Sequence, residues 1–489
     1  METLMRIIKC NEGQPQCSRC VRRGTECSYP DALELDFRDE NSKAAARTAA
    51  LWRTRTQAAR LLREPSAPSR TLVDLHDRVI AAFYRDFDCS AKVSNPWIEF
   101  FQMLPTLYRQ SVRVPSSPTR QAIRALALAH HSRQQQQPVP QLEIMARTEY
   151  LQAITQIRLQ LQRSHGVSST ETVVSVALMG LFDSILPSPE PAQSWHAAHQ
   201  HGAISMVRQQ ITSPTSAASI DPYLLKYQYL LMVINCLNQR SRPQLPLKWW
   251  TAVMDPGFTA AHLFCTMYRL AQWQAEIDSY IVTFDHHAMS NMVDTLLAAD
   301  DALDAWEAQL PPSSHFSERE VRADDPAILQ WPGAPFRVYV YENSWNAVPR
   351  TFCFATRIML CQNILLCNGY AEDAEQTIVD MIRHICRSTH AVISGSGDGS
   401  KAVEEGLSMR GRAIVWPLNV AASALQGNPR VLAQVGVESA QWTRRALQHA
   451  LRLSGSSLAL NMDYKTEQRM PDLFQTFYLG QKGCLDEQH

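Results

Sequence analysis

The stretch LVDLHDRVIAAFYRDF, residues 72–87, places Leu72, Leu75, Val79, Phe83 and Phe87 at steps of three and four residues. Apolar residues at this period form one stripe along an α-helix, and that stripe packs against a core. The same period recurs in Ile144–Leu161, Val173–Ile185, Pro222–Leu237, Ala260–Ile281, Met289–Leu310, Phe352–Leu366, Ala374–Ile393 and Glu438–Leu453. Segments rich in Pro, Ser and Gly, such as LPSPEP and SGSGDGS, separate these stripes. We therefore expect an all-α fold, with one large helical domain over residues 71–480.

The composition agrees with this expectation and excludes several classes of protein. Only 18 of 489 residues are glycine, which disfavours folds built on glycine turns, and strand-like alternation is scarce. The 47 basic and 47 acidic side chains balance, which excludes a globally basic nucleic-acid coat but not a small basic module. No apolar run approaches the roughly 18 residues of a membrane helix, and METLMRIIKC lacks the apolar region of a signal peptide. We expect an intracellular protein without a membrane partner.

Two segments flank the helical domain. Residues 31–70 begin with the acidic DALELDFRDE, continue as the basic NSKAAARTAALWRTRTQAARLLR, and contain few residues able to form a core. This pattern predicts a basic linker, helical in part. Residues 481–489 are interpreted as a tail.

Four of the 12 cysteines lie in the first 27 residues, with the spacing Cys10-x6-Cys17-x2-Cys20-x6-Cys27. A Cys-x2-Cys pair can place two thiolates on one metal ion, and thiolate ligands in tetrahedral arrangement favour zinc. A disulfide framework or a chance cluster is the alternative, but disulfides are rare in intracellular proteins. The spacing predicts zinc as cofactor, with Cys10, Cys17, Cys20 and Cys27 as its ligands.

The string KCNEGQPQCSRCVRRGTECSYP resembles the second half of the fungal zinc binuclear cluster, in which six cysteines hold two zinc ions and a short helix enters the major groove of DNA. The family pattern is C-x2-C-x6-C, a loop containing proline, and a second C-x2-C-x6-C. This chain matches from the third cysteine onward, and Thr3 stands where the second cysteine belongs. We therefore interpret residues 1–30 as a partial zinc-cluster module. Either an upstream exon precedes the assigned start or the module is naturally truncated, and four thiolates suffice for a single zinc ion.

The resemblance also implies roles for the basic residues of this segment. Arg6 and Lys9 would contact phosphates or base edges of promoter DNA, and Arg19, Arg22 and Arg23 would support the backbone contact. The alternative is a solvated basic surface that enters no groove.

The remainder of the chain resembles the fungal-specific transcription factor domain that follows such clusters. The likeness lies in four strings: WHAAHQHGAISMVRQQ from Trp195, LDAWEAQLPP from Leu303, IMLCQNILLC from Ile358 and GRAIVWPLNVAASAL from Gly411. The resemblance implies a nuclear regulator, often of a secondary-metabolite gene cluster. Its helical domain would mediate regulation, ligand response, or pairing with a second copy or another transcription factor.

Histidines in two places raise the question of a second metal site. His196, His199 and His201 follow Trp195 closely, but only the first two are neighbours on a helix, and no acidic residue stands at ligand spacing beside them. We interpret them as ordinary polar histidines. The string Asp285-His286-His287 is interpreted as a loop or a helix start.

No motif indicates an enzyme. The chain contains no glycine-rich phosphate loop, no G-x-S-x-G and no H-E-x-x-H. Paired aspartates near residue 300 are compatible with a magnesium site in an all-helical enzyme. The alternative is that Asp300, Asp301 and Asp304 face water while the opposite side of the helix is buried. That buried stripe would consist of Leu296, Leu297, Leu303, Trp306 and Leu310.

These observations favour a fungal transcription factor that binds promoter DNA through zinc and is not an enzyme. One alternative is a regulator that has lost direct DNA binding and acts through protein partners. The other is an all-helical metabolic enzyme. Aromatic pairs such as Trp249-Trp250, and the string Tyr339-Val340-Tyr341, are expected in the core, with a ligand pocket as the alternative.

Overall fold

The computed structural model describes residues 70–87, 96–114, 116–135, 139–163, 169–186, 195–212, 220–254, 259–368, 371–394 and 406–456. The chain divides into two compact units, Met1–Arg70 and Thr71–His489. Apart from Arg70, the described residues all belong to the second unit. The predicted zinc-cluster module, the linker up to residue 69 and the tail lie outside the described residues.

The described part is built almost wholly of α-helices, as the periodicity predicts. Its first half contains α1 (Arg70–Phe87), α2 (Pro96–Val112), α3 (Pro118–Gln134), α4 (Pro140–Arg163), α5 (Thr170–Ile185), α6 (Trp195–Thr212), α7 (Pro222–Gln239) and α8 (Leu247–Val253). Its second half contains α9 (Ala261–Thr283), α10 (His286–Ala308), α11 (Ala327–Gln330), α12 (Ala347–Asn368), α13 (Glu372–Ser394), α14 (Leu407–Gly427), α15 (Pro429–Val435) and α16 (Val437–Ser454). The all-α prediction is confirmed.

Helix starts follow from local chemistry. The Asp221 carboxylate accepts a hydrogen bond from the Tyr223 backbone N–H at 2.8 Å, and Pro222 occupies the first helical position of α7. Proline fits there because its missing N–H would have no partner in the helix anyway. Asp285 caps α10 by accepting from the Ala288 N–H at 2.9 Å. The string Asp285-His286-His287 is therefore a helix start.

The apolar stripes predicted from sequence lie in one continuous core. Val79, Phe83 and Phe87 of α1 are buried, and the Phe87 ring stacks on Phe101 of α2 at 4.6 Å between centroids. Helix α5 is buried on every side from Thr172 to Ile185, which explains why its sequence is apolar with little alternation. Trp250 is buried and Trp249 is partly buried against the same core.

One prediction for α10 is wrong in two respects. Leu297 was expected in the buried stripe, but it is 47% exposed, because it lies about 100° around the helix from the buried Leu296. Asp300 was expected to face water, but it is largely covered and forms an ion pair with Arg357 of α12. Asp304 also pairs with Arg357 but stays exposed, as predicted. Asp301 is exposed as predicted.

A short antiparallel hairpin interrupts the helices between α10 and α12. Strand β1 (Phe316–Glu320) pairs with β2 (Arg337–Tyr341), with Phe316 opposite Tyr341. Tyr339 and Tyr341 are buried, and the Tyr341 hydroxyl lies 3.0 Å from Ser388 Oγ of α13. The string Tyr339-Val340-Tyr341 thus packs the hairpin onto the helical core. Sequence analysis did not predict these strands, although alternating aromatic and β-branched residues are typical of them.

Two glycines and a tryptophan allow helix α16 to pack closely against the rest of the domain. Gly333 adopts φ +80°, and a Cβ there would lie 2.1 Å from the Glu438 carbonyl oxygen. At Gly411 of α14, a Cβ would lie 2.7 Å from the Ala450 carbonyl oxygen. Trp442 is fully buried and donates from Nε1 to the Ile328 carbonyl oxygen at 2.8 Å. Helix α14 at Gly411, and the segment before β2 at Gly333, can approach the backbone of α16 this closely only because neither glycine carries a side chain.

Replacement of Gly411 by alanine tests this crossing. We expect Gly411→Ala to lower the free energy of unfolding by about 1–3 kcal/mol, because the new methyl group forces the two helices apart. Chemical unfolding followed by circular dichroism measures the effect. Gly427→Ala is the matched control, because it lies on the same helix with no atom within 4 Å of the added Cβ. Equal stabilities of the two variants would contradict the close crossing.

Candidate functional site

The residues predicted to bind zinc and DNA lie outside the described residues. They are Cys10, Cys17, Cys20 and Cys27 for the metal, and Arg6, Lys9, Arg19, Arg22 and Arg23 for DNA. Their geometry stays a prediction. The donor set itself fits zinc, because four cysteines within 18 residues supply the four thiolates of one tetrahedral ion.

The cysteines of the helical unit have a different character. Those described are free thiols: Cys236, Cys265, Cys353, Cys361, Cys367 and Cys386. Burial raises the pKa of each, to about 11 for Cys386 and Cys367 and to about 12 for Cys361. A metal ligand must be a thiolate, so these thiols are poor ligands at neutral pH. Within the described residues, no group of three or more His, Cys, Asp or Glu side chains could hold a metal ion.

The histidines of α6 do not form a metal site in the described part of the chain. His199 Nδ1 lies 2.8 Å from Asp183 Oδ2 of α5, and the Tyr150 hydroxyl of α4 donates to the same carboxylate oxygen at 3.4 Å. His201 is exposed, and the side chain of His196 is not described. The acidic partner of His199 is 16 residues away in sequence. Spacing alone could not reveal it, because the contact depends on how α5 and α6 pack.

The paired aspartates of α10 are partners of a buried arginine. Arg357 of α12 donates from Nε to Asp300 Oδ1 and from Nη2 to Asp300 Oδ2, each at 2.8 Å, and from Nη1 to Asp304. The guanidinium side chain is 9% exposed, so the two carboxylates offset the desolvation of its charge. These carboxylates join α10 to α12, and the structure gives no support to a magnesium site at this position.

A second arginine ties the same helices to the hairpin. Arg350 of α12 forms an ion pair with Glu307 of α10 and donates from Nη1 to the Ser314 carbonyl oxygen at 3.0 Å. Its guanidinium carbon also lies 4.8 Å from the centre of the Phe316 ring. The cluster fixes the segment that leads into β1, which explains why a two-stranded hairpin stays packed against helices.

Several histidines are enclosed by the helices. His130 of α3 is 1% exposed, with Nε2 at 3.0 Å from Asp86 Oδ2 of α1. Burial lowers its pKa, although the hydrogen bond to Asp86 acts in the opposite direction. Burial also lowers the pKa of His76, His384, His390 and His449. The native state therefore favours neutral forms of these side chains.

The stability of the chain should fall on acidification. Because the folded pKa of each of these histidines lies below its unfolded value of about 6.5, the unfolded chain binds protons first. Above pH 6.5 the neutral histidines contribute fully to the free energy of unfolding. Below pH 6.5 that free energy falls by up to about 1.4 kcal/mol per pH unit for each histidine. Urea unfolding at a series of pH values measures this slope. His130→Gln should flatten the slope, with the exposed His287→Gln as control, and an unchanged slope in His130→Gln would contradict the assignment.

The ion pair of Arg357 predicts unequal effects at neighbouring aspartates. We expect Asp300→Asn to lower the free energy of unfolding by about 2–4 kcal/mol, because it removes the bidentate counterion of a buried guanidinium. Asp301→Asn is the matched control and should change it by less than about 0.5 kcal/mol, because Asp301 is exposed. Thermal unfolding of both variants without added metal makes the comparison. Similar losses in the two variants would show that Asp300 is not the partner that holds Arg357.

None of the described helices has the length and apolar content needed to cross a membrane. Comparison with curated proteins and with solved structures gives no match. Comparison with protein families matches residues 5–35 to the fungal Zn(2)-Cys(6) binuclear cluster domain. The match confirms the resemblance carried by Cys10, Cys17, Cys20 and Cys27. The likeness of residues 71–480 to the fungal-specific transcription factor domain stays a prediction. Over residues 5–35, the chain is thus similar to the fungal zinc binuclear cluster domain, a domain that binds zinc.

Proposed function

We propose that this chain is a nuclear fungal transcription factor that binds promoter DNA through its zinc-bearing N-terminal segment and is regulated through its helical domain. The family match over residues 5–35 carries the proposal, because zinc-cluster domains serve transcription regulation. The described unit supports it indirectly. Its polar clusters join helices to one another, and its thiols are unsuited to metal binding at neutral pH.

In this proposal each N-terminal residue has a defined task. Cys10, Cys17, Cys20 and Cys27 hold zinc as thiolates, and the metal cross-links a segment too short to build an apolar core. Arg6 and Lys9 contact phosphates or base edges, and Arg19, Arg22 and Arg23 bind the DNA backbone. The phosphate contacts position the segment, and the base contacts select the sequence.

Electrostatics makes binding sensitive to salt. The chain as a whole has no formal net charge at pH 7, so attraction to DNA depends on the local basic residues around the cysteines. Each phosphate that they neutralise contributes about −0.9 to the slope of log K against log salt. With five basic residues, we expect a modest affinity for DNA that falls steeply as the salt concentration rises.

The helical domain then supplies regulation rather than chemistry. We propose that it mediates pairing with a second copy or another transcription factor, and that the genes controlled include a secondary-metabolite cluster. The support for both is the resemblance of the four strings from Trp195, Leu303, Ile358 and Gly411.

A second candidate function is regulation through protein partners without direct DNA binding. The observation that favours it is Thr3, which stands in the register where the family has a cysteine. In that case the four thiolates hold zinc in a segment that does not enter the major groove.

Zinc content and DNA binding of the 489-residue chain test the proposal together. We expect the purified, reduced protein to contain zinc and to retard promoter fragments in preference to scrambled DNA, with affinity falling as salt rises. Cys17→Ser should lose both properties, because it removes one ligand of the Cys-x2-Cys pair. Metal analysis and fluorescence anisotropy measure them.

The control is Cys265→Ser in α9, which removes a partly buried free thiol and should retain zinc and DNA affinity. Protein that contains zinc but shows no sequence preference at any salt concentration would favour regulation through partners. Protein without zinc under reducing conditions would contradict both candidate functions.

A further inference from the structure

Arg412 of α14 is an enclosed cation for which the described part of the chain provides no anion. Its Nε and Nη2 atoms are shut off from solvent and have no hydrogen-bond partner. Several other enclosed arginines each have a carboxylate. These pairs are Arg240 with Asp278, Arg319 with Asp325, Arg350 with Glu307, and Arg357 with Asp300. Arg412 has no such carboxylate partner among the described residues.

The groups around Arg412 are donors or neutral rings. Burial raises the pKa of Tyr227 on α7 to about 12, and the charge of Arg412 acts against that rise. Burial also lowers the pKa of His130, and Arg412 contributes to the lowering, so both side chains lie within electrostatic reach of the guanidinium. Asp86 is already the hydrogen-bond partner of His130 at 3.0 Å. Among the described residues, Tyr227 acts on the charge of Arg412 and no carboxylate does.

The position of these groups is fixed by packing. The Tyr227 ring stacks on Phe100 of α2 at 4.0 Å between centroids, with an interplanar angle of 5°. Ser408, one turn before Arg412 on α14, has its hydroxyl 3.4 Å from His130 Nε2. Three helices, α3, α7 and α14, thus hold the surroundings of the guanidinium. A rigid frame of this kind suits selective binding, because little ordering is required when a ligand arrives.

The cost of burying an unpaired charge explains why such a cation requires a partner. An enclosed charge without a counterion is strongly destabilising, and burial lowers the pKa of Arg412. A guanidinium nevertheless stays protonated in proteins, so deprotonation does not relieve the cost. The side chain as a whole keeps an intermediate exposed fraction, which leaves part of it open to solvent. Nη1 is not among the enclosed atoms, so an anion from solution would approach the guanidinium on that side.

We propose that Arg412 anchors a binding site for a small anion with carboxylate or phosphate oxygens, with the Tyr227 hydroxyl as a neighbouring donor. The planar guanidinium matches two oxygens of either group. This inference goes beyond the proposed function and does not depend on zinc or DNA. Occupancy stabilises the helical domain, because the anion binds the folded chain and not the unfolded one.

Thermal unfolding of the full chain tests the site. The protein is compared in chloride and in acetate, citrate and inorganic phosphate at matched ionic strength. We expect at least one of these anions to raise the Tm by about 2–4 °C over chloride. A larger shift with acetate or citrate indicates a carboxylate ligand, and a larger shift with phosphate indicates a phosphorylated one. No shift with any of the three overturns the proposal.

Arg412→Met separates this site from other anion effects. The variant keeps an unbranched side chain of similar reach without the charge, so it should lose the anion response. Its Tm in chloride should equal or exceed that of the wild type, because an unpaired enclosed cation has been removed. A lower Tm in chloride, a failure to fold, or an undiminished anion response would each overturn the proposal. Arg383→Met, which replaces a half-exposed arginine of α13, should keep the full response.

Discussion

The desolvation of charge decides how the helices of this protein fit together. An arginine carried into a helical core needs a partner, because water no longer solvates the guanidinium. Arg357 bridges α12 to α10 through Asp300, and Arg350 bridges α12 to the approach of the hairpin. Each of these contacts forms only when the two elements adopt one relative position. The ion pairs and hydrogen bonds therefore fix how α12 packs against its neighbours.

Patterns that are local in sequence gave correct predictions. The stripe of Val79, Phe83 and Phe87 is buried, and the apolar run from Val173 to Ile185 forms a helix enclosed on every side. The zinc-cluster segment was recognised for the same reason, because the spacing between Cys17 and Cys20 is a short-range property. Its residues lie outside those that the structure describes, so the arrangement of the ligands stays a prediction.

Contacts between distant residues could not be read from the sequence. Asp183 of α5 contacts His199 of the neighbouring helix α6. Asp300 pairs with Arg357, although the residues around it in the sequence suggested a solvated face. Leu297 is exposed because neighbouring elements cover only one side of α10. In each case the one-dimensional pattern specifies a helix and a polar or apolar face, whereas the partner depends on the packing of several helices.

The seating of α16 has a consequence for synthesis on the ribosome. Gly411 and Gly333 both precede Val437–Ser454 in the chain, so the residues that accept this helix are synthesised before the helix emerges. Until α16 is synthesised, the backbone of α14 around Gly411 is not covered by that helix. The Ile328 carbonyl oxygen also lacks the hydrogen bond from the Trp442 indole. A nascent or prematurely terminated chain that ends before residue 437 therefore exposes the surface that α16 covers in the folded protein. Exposed core surface of this kind is recognised by chaperones and by proteolytic quality control.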